Sequence, residues 1–241
     1  MSIFNKIFKN GNNESNQSVQ TTTPEVSPKI SLAKEEVHKI CLTKKPLNAL
    51  AARVGLVLDY SGSMSSLYYD GTVQSVIEKI LPLAMEFDDN NTMEVWIFEN
   101  GYHRLPDINL SNYKDYVKTQ ITNKYEMGGT KYAPVMKDVV KEYNRSKLPA
   151  YVLFITDGDN FDKSDTDSII IMASKSPIFW QFVGLGGADF DYLQRLDDMS
   201  GRYVDNADFF KVGRASDITY NDLLNEFPNW LEFDKVKDML K

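Results

Sequence analysis

The stretch RVGLVLDYSGSM, Arg53–Met64, starts as a strand and ends as a polar turn. Arg53–Asp59 is short and mostly apolar, the pattern of a central strand covered on both faces. Asp59, Ser61 and Ser63 follow at alternate positions, with Gly62 between the serines. Small oxygen-bearing side chains where a buried strand ends make a capped turn, a nucleophile or part of a metal site. The rest of the chain decides among them.

Outward from this stretch, apolar runs alternate with amphipathic segments. Thr72–Phe87 carries Val73, Val76, Ile77, Ile80, Ala84 and Phe87 at helical spacing, with Pro82 inside it. Thr92–Phe98 reads as a strand and Tyr102–Leu105 as a short edge strand. Tyr113–Thr122 and Ala133–Tyr143 read as helices, and Ala150–Thr156 as a second strongly apolar strand. A helix closing at Ser168–Ser174, a strand at Ile178–Leu185 and a helix at Phe190–Met199 come next. Phe209–Val212 makes a last strand, with helical Ile218–Glu226 and Phe233–Leu240 behind it. This alternation predicts an α/β fold: a doubly wound, mostly parallel six-stranded sheet with helices on both faces. Sites in such sheets form beyond the carboxyl ends of the strands. That rule selects Asp59–Met64, Gly128–Thr130 and Thr156–Asp159.

The domain plan has three parts. Residues 1–29 are predicted to be a disordered tail, because Asn10–Pro28 is almost wholly polar with two prolines. Residues 30–50 are read as a helix and linker, with Ser31 as the cap for Ala33–Cys41 and Ala33, Val37 and Ile40 on one face. Residues 51–241 form the main domain with a C-terminal helical extension.

The chain carries a net charge of −7, with +3 in residues 1–50 and −10 in the remainder. An acidic body argues against nucleic acid as a partner and suits a site that gathers cations. The single cysteine, Cys41, excludes an internal disulfide framework. No apolar run approaches the roughly 18 residues that span a bilayer, and the start lacks a secretory h-region. A cytoplasmic location is expected. Ile3, Phe4, Ile7 and Phe8 would share one face of a helix, but so short a segment does not anchor alone, so membrane contact through residues 1–9 is not expected.

The three selected loops hold oxygen donors and little else. Carboxylate and hydroxyl oxygens are what hard divalent ions select. Thr130 follows two glycines that allow close backbone approach, and Asp157 ends the second apolar strand with a glycine behind it. Two carboxylates among hydroxyls leave such an ion electrophilic toward an incoming anion, most simply an Asp or Glu of a partner protein.

Asp59-Tyr-Ser61-Gly-Ser63, with Thr130 and the Asp157 of I-T-D-G, resembles the metal-ion-dependent adhesion site of von Willebrand factor A (VWA) domains. The resemblance implies a doubly wound sheet with one antiparallel edge strand. It implies direct binding of a divalent cation by the Ser61 and Ser63 hydroxyls, with Thr130 joining when a ligand is bound. Asp59 and Asp157 would act directly or through water. The cation implied is Mg2+, with Mn2+ or Ca2+ as alternatives. GGTKYAPVM, PIFWQFVGLGG, LQRLDDMSGRYVDNADFF and LLNEFPNWL further resemble the VWA proteins of bacterial tellurium-resistance and stress-response clusters, the TerF-like type. That implies a stress context more than a mechanism.

Other chemistries fit less well. Ser61 as a nucleophile needs a positioned base, and the only histidines are His38, ahead of the core, and His103, by an edge strand. A phosphoaspartyl enzyme at Asp59 would want a second aspartate where Ser61 stands. Asp157–Asp167 fails as an EF-hand loop, having Asp162 and Ser168 where glycine and glutamate belong. It reads as a solvated acidic loop, with Asp159 able to tune the metal. Gly184, Gly186 and Gly187 lack dinucleotide-binding spacing. The expected function is a non-enzymatic, metal-dependent protein-binding module with no catalytic residues. The rival is a metal-assisted hydrolase or phosphoryl-transfer enzyme using the same loop.

Overall fold

The computed structural model of the chain describes residues 26–88 and 90–240. Most of the tail expected over residues 1–29, including the apolar segment within residues 1–9, lies outside the described residues.

Six strands form one sheet: β1 (Arg53–Asp59), β2 (Met93–Phe98), β3 (Tyr102–Ile108), β4 (Ala150–Thr156), β5 (Ile178–Leu185) and β6 (Ala207–Val212). Their order is β3-β2-β1-β4-β5-β6. Every neighbouring pair is parallel except β2 with β3, so β3 is an antiparallel edge. The order reverses between β1 and β4, which opens a crevice at their carboxyl ends.

Alternate residues of the central strands feed two cores. Val54, Leu56 and Leu58 of β1, with Tyr151, Leu153 and Ile155 of β4, face one core. Val57, with Val152 and Phe154, faces the other. The first core is closed by α1 (Pro28–Thr43), α2 (Ser65–Tyr69), α3 (Thr72–Phe87) and a C-terminal group. The second is closed by α4 (Ala133–Tyr143), α5 (Lys163–Ala173) and α6 (Asp191–Asp197). Trp96, Trp180 and Trp230 are fully enclosed. Gly55 is required within β1: a Cβ there would stand 2.9 Å from the Tyr143 hydroxyl. That hydroxyl donates to the buried Glu94.

Three local readings differ from the structure. Helix α1 starts at Pro28, and the cap is Ser27, which accepts from the Ile30 N–H, rather than Ser31. Proline at the first position lacks only an N–H that would go unpaired anyway. Tyr113–Thr122 is not an α-helix but ends in a wide π-type turn over Val117–Thr122. The Gln74 side chain bonds both Tyr113 O (2.8 Å) and Val117 N (3.1 Å), taking over backbone groups at the start of that segment. The helix read over Ile218–Glu226 is shorter, α7 (Tyr220–Leu223), and an unread helix, α8 (Phe227–Glu232), follows it before α9 (Asp234–Met239), which matches the helix read at Phe233–Leu240. Pro228 is tolerated only in a first turn, so a new helix begins around it.

Candidate metal centre

Asp59 is the last residue of β1 and Asp157 follows the last residue of β4, so both reach the crevice where the strand order reverses. After Asp59 the chain turns back on itself: the Ser61 N–H donates to Asp59 Oδ1 at 2.8 Å. This Asx-type turn aims the serines up out of the sheet. Ser61 Oγ lies 3.0 Å from Ser63 Oγ, and Ser63 Oγ donates to Asp157 Oδ1 at 2.9 Å. Asp59, Ser61, Ser63 and Asp157 are thus joined in one hydrogen-bonded chain across the crevice.

Thr130 stands on the third loop, docked against the first by backbone bonds. Gly62 N donates to Gly128 O at 3.0 Å and Gly128 N to Tyr60 O at 3.3 Å. The loop is close because it is glycine: a Cβ on Gly129 would stand 2.6 Å from Asn100 Oδ1, and one on Gly128 3.0 Å from Glu99 Cβ. Among the described residues, Thr130 is the one of the five whose side chain bonds none of the other four. Its carbonyl accepts from the Phe161 N–H at 3.0 Å.

Several supporting residues escaped the sequence reading. Thr156 donates to Asp59 Oδ2 at 2.6 Å, so both carboxylate oxygens of Asp59 accept a hydrogen bond. The Tyr132 hydroxyl sits within reach of Thr156 Oγ1 and the Gly158 carbonyl. Asp162 turns inward from the acidic run and accepts from Tyr132 N (3.0 Å) and Ala133 N (2.9 Å), satisfying the open start of α4. That segment is therefore no simple solvated loop: its Asp162 caps a helix, while Asp159 pairs with Lys163. Glu99 and Asn100, at the end of β2, wall the glycine pair. The I-T-D-G motif contained Thr156 but gave no sign of its partner.

Electrostatics follow from burial. Asp59 is fully enclosed, and desolvation raises its carboxyl to about 6 against the hydrogen bonds from Thr156 and Ser61. Burial also raises Asp157, opposed by its bond from Ser63. Two carboxylates resisting ionisation side by side are what a cation would relieve.

The donor set can be tested against an ion. Octahedral Mg2+ holds oxygens at about 2.0–2.1 Å, which sets neighbouring ligand oxygens about 2.9 Å apart. The oxygen separations across Ser61, Ser63 and Asp157 are 3.0 and 2.9 Å. The residues fit, with Ser63 adjacent to both others. Among the described residues no group of three or more His, Cys, Asp or Glu side chains is arranged to hold a metal; the candidate centre instead relies on hydroxyls.

Comparison with known proteins gives a consistent picture of the fold. A family model described as the vWA found in the TerF C terminus matches residues 51–240. The "Uncharacterized protein YcbR" of Bacillus subtilis (strain 168) is 42% identical over 222 residues, covering 88% of this chain and 90% of that protein. Among solved structures, an aerotolerance-related membrane protein from Bacteroides fragilis matches with a TM-score of 0.56 at 16% identity, covering 74% of this chain and 99% of that one. The manganese-loaded TRAP protein of Plasmodium vivax matches with a TM-score of 0.52 at 16% identity, covering 67% and 68%. Other matching structures are longer, and the chain spans less than half of several of them. Among the described residues no helix is long and apolar enough to cross a membrane.

Proposed function

The chain belongs to the VWA family of the type found at the TerF C terminus, and from that premise we propose that it is a metal-dependent protein-binding module. The observation that carries this reading is the run of oxygens from Ser61 through Ser63 to Asp157, spaced at 3.0 and 2.9 Å like adjacent ligands of one cation. A bound Mg2+ or Mn2+ supplies positive charge for an acidic side chain of a partner protein. In this reading the chain's own residues do the positioning. Asp59 fixes the serine turn through the Ser61 N–H, and Thr156 holds Asp59 in turn. Thr130, with its hydroxyl bonded to none of the other four, is free to join the shell when the partner arrives. The manganese-loaded neighbour supports a divalent cation in this fold.

The module is read as a binder rather than an enzyme, within residues 51–241, with α1 (Pro28–Thr43) packed against it. We place it in a cytoplasmic tellurium-resistance or stress response; the family's name supports the tellurium context alone.

Calorimetry with Mn2+ and Mg2+ tests the site. Ser63→Ala and Asp157→Ala should stay folded and bind the ion at least tenfold more weakly than the parent. Unchanged affinity in both variants refutes the assignment. Partner capture should in addition be reversed by EDTA.

A further inference from the structure

Phe161 is 80% exposed, as open as any large apolar side chain among the described residues. Such a ring in water forgoes the burial that usually stabilises an aromatic side chain, and on a loose loop it would attract no notice. This one is held. Its N–H donates to the Thr130 carbonyl at 3.0 Å. The residue before it, Asn160, is buried and donates to Thr166 (2.9 Å) and Asp162 (2.7 Å). The residue after it, Asp162, is fixed to the start of α4 by two bonds. The ring edge comes within 3.6 Å of where a Cβ on Gly129 would be, so it rests beside the loop that carries Thr130. Lys131, the residue after Thr130, is exposed and adds positive charge at the same rim.

A rigid aromatic anchor beside a charged centre is how interfaces concentrate their energy. We propose that Phe161 is the apolar half of the binding site: the partner is recognised by a carboxylate together with an aliphatic side chain two residues from it in sequence, which packs on the Phe161 ring. This rests on the metal-dependent reading above. The cation and Lys131 draw the carboxylate, and in an extended peptide the side chain two residues away lies on the same face, roughly 6.6 Å along the chain, within the reach of the ring. The Phe161–Thr130 bond ties the two halves together, so that the ring's position is set by the residue that completes the cation's shell. Tyr69, also 80% exposed, ends the helix that follows Ser63.

The test uses the full chain and three immobilised heptapeptides in 1 mM Mn2+. One has a central Glu with leucines two residues to either side, the second the same Glu with serines at those positions, and the third a Gln with the leucines. The leucine-flanked Glu probe should bind about tenfold more tightly than the serine-flanked one, equivalent to about 1.4 kcal/mol, and the Gln probe should not bind. Phe161→Ser should erase the leucine preference while leaving Mn2+ affinity by calorimetry unchanged, and Phe161→Leu should restore most of it. If the parent binds Mn2+ but neither discriminates leucine from serine nor holds either Glu probe, the inference is overturned and the metal site stands. If the parent binds no Mn2+, the metal reading itself fails. A Phe161-dependent dimer in sedimentation, with no peptide preference, would assign the ring to contact between copies and also overturn the proposal.

Discussion

Replacing Asp59 with asparagine should make the cation-free protein more stable while abolishing its response to metal. The side chain is fully buried, and burial raises its carboxyl from 3.8 to about 6. The folded state therefore holds the proton more tightly than the unfolded chain does. This group's contribution to stability is fully present below about pH 4, falls as pH rises toward 6, and stays lost above that. At 1.36 kcal/mol per unit, the ionised carboxylate costs about 3 kcal/mol at pH 8. Asparagine keeps an acceptor for the Ser61 N–H but gives up one of the two oxygens that now accept from Ser61 and Thr156. That loss costs about 1–1.5 kcal/mol. The balance favours Asp59→Asn by about 1–2 kcal/mol in EDTA at pH 8, or about 2–8 °C in Tm for a domain of this size. With Mn2+ at a hundred times its Kd, the parent gains about 2.7 kcal/mol and overtakes the variant, which gains nothing. Differential scanning fluorimetry in EDTA and in Mn2+, at pH 5 and pH 8, gives all four comparisons. The reasoning is refuted if the variant is the less stable protein in EDTA at pH 8, or if Mn2+ raises both melting temperatures equally.

Asp162→Ala should cost about 1–2 kcal/mol, because it uncaps α4 at Tyr132 N and Ala133 N; urea unfolding measures it, and a change below 0.3 kcal/mol (roughly the scatter of a neutral surface substitution) would refute the capping role. The same variant should also weaken Mn2+ binding several-fold in calorimetry, since Asp162 steadies the loop that carries Thr130. Asp197 lies near Asp208, Asp198 and Asp205, and burial followed by these charges raises it to about 7, against the opposing charge of Arg202. Its folded value lies above the unfolded one, so stability is lost as pH rises from about 4 through 7. Asp197→Asn should therefore add about 1–2 kcal/mol at pH 8, after screening by water, and little at pH 4.5. Urea midpoints at the two pH values check this, and an equal gain at both would refute it.

The sheet was legible because its signals are local and redundant. RVGLVLD and AYVLFIT are apolar at nearly every position, as strands covered on both faces must be, and they became β1 and β4 at the centre of the sheet. The edge strand β3 runs Tyr102–Ile108, past the Leu105 read from sequence. Its exposed residues follow no clean alternation, and an edge needs none. Helix α8, between the two C-terminal helices read from sequence, went unread because six residues give little periodicity and only Pro228 marks its start.

At the candidate centre a sharper division holds. A residue that is to touch a cation must offer oxygen and must sit in a loop at the site's edge of the sheet, so chemistry and position leave a readable mark on Asp59, Ser61, Ser63, Thr130 and Asp157. A residue that only steadies those five is bound by neither condition. Thr156 reaches Asp59 across 97 positions of sequence and Asp162 reaches Tyr132 across 30, and at either place another small polar side chain could make a similar bond. Nothing in their neighbourhood specifies the partner, which exists only after the sheet has brought the loops together. The two glycines before Thr130 mark the boundary between these cases. Their lack of a side chain announces that something comes close, but that the visitor is Asn100, carried in from the end of β2, is a consequence of strand order. The supporting layer of such a centre is thus written in the topology, and reading it requires the fold first.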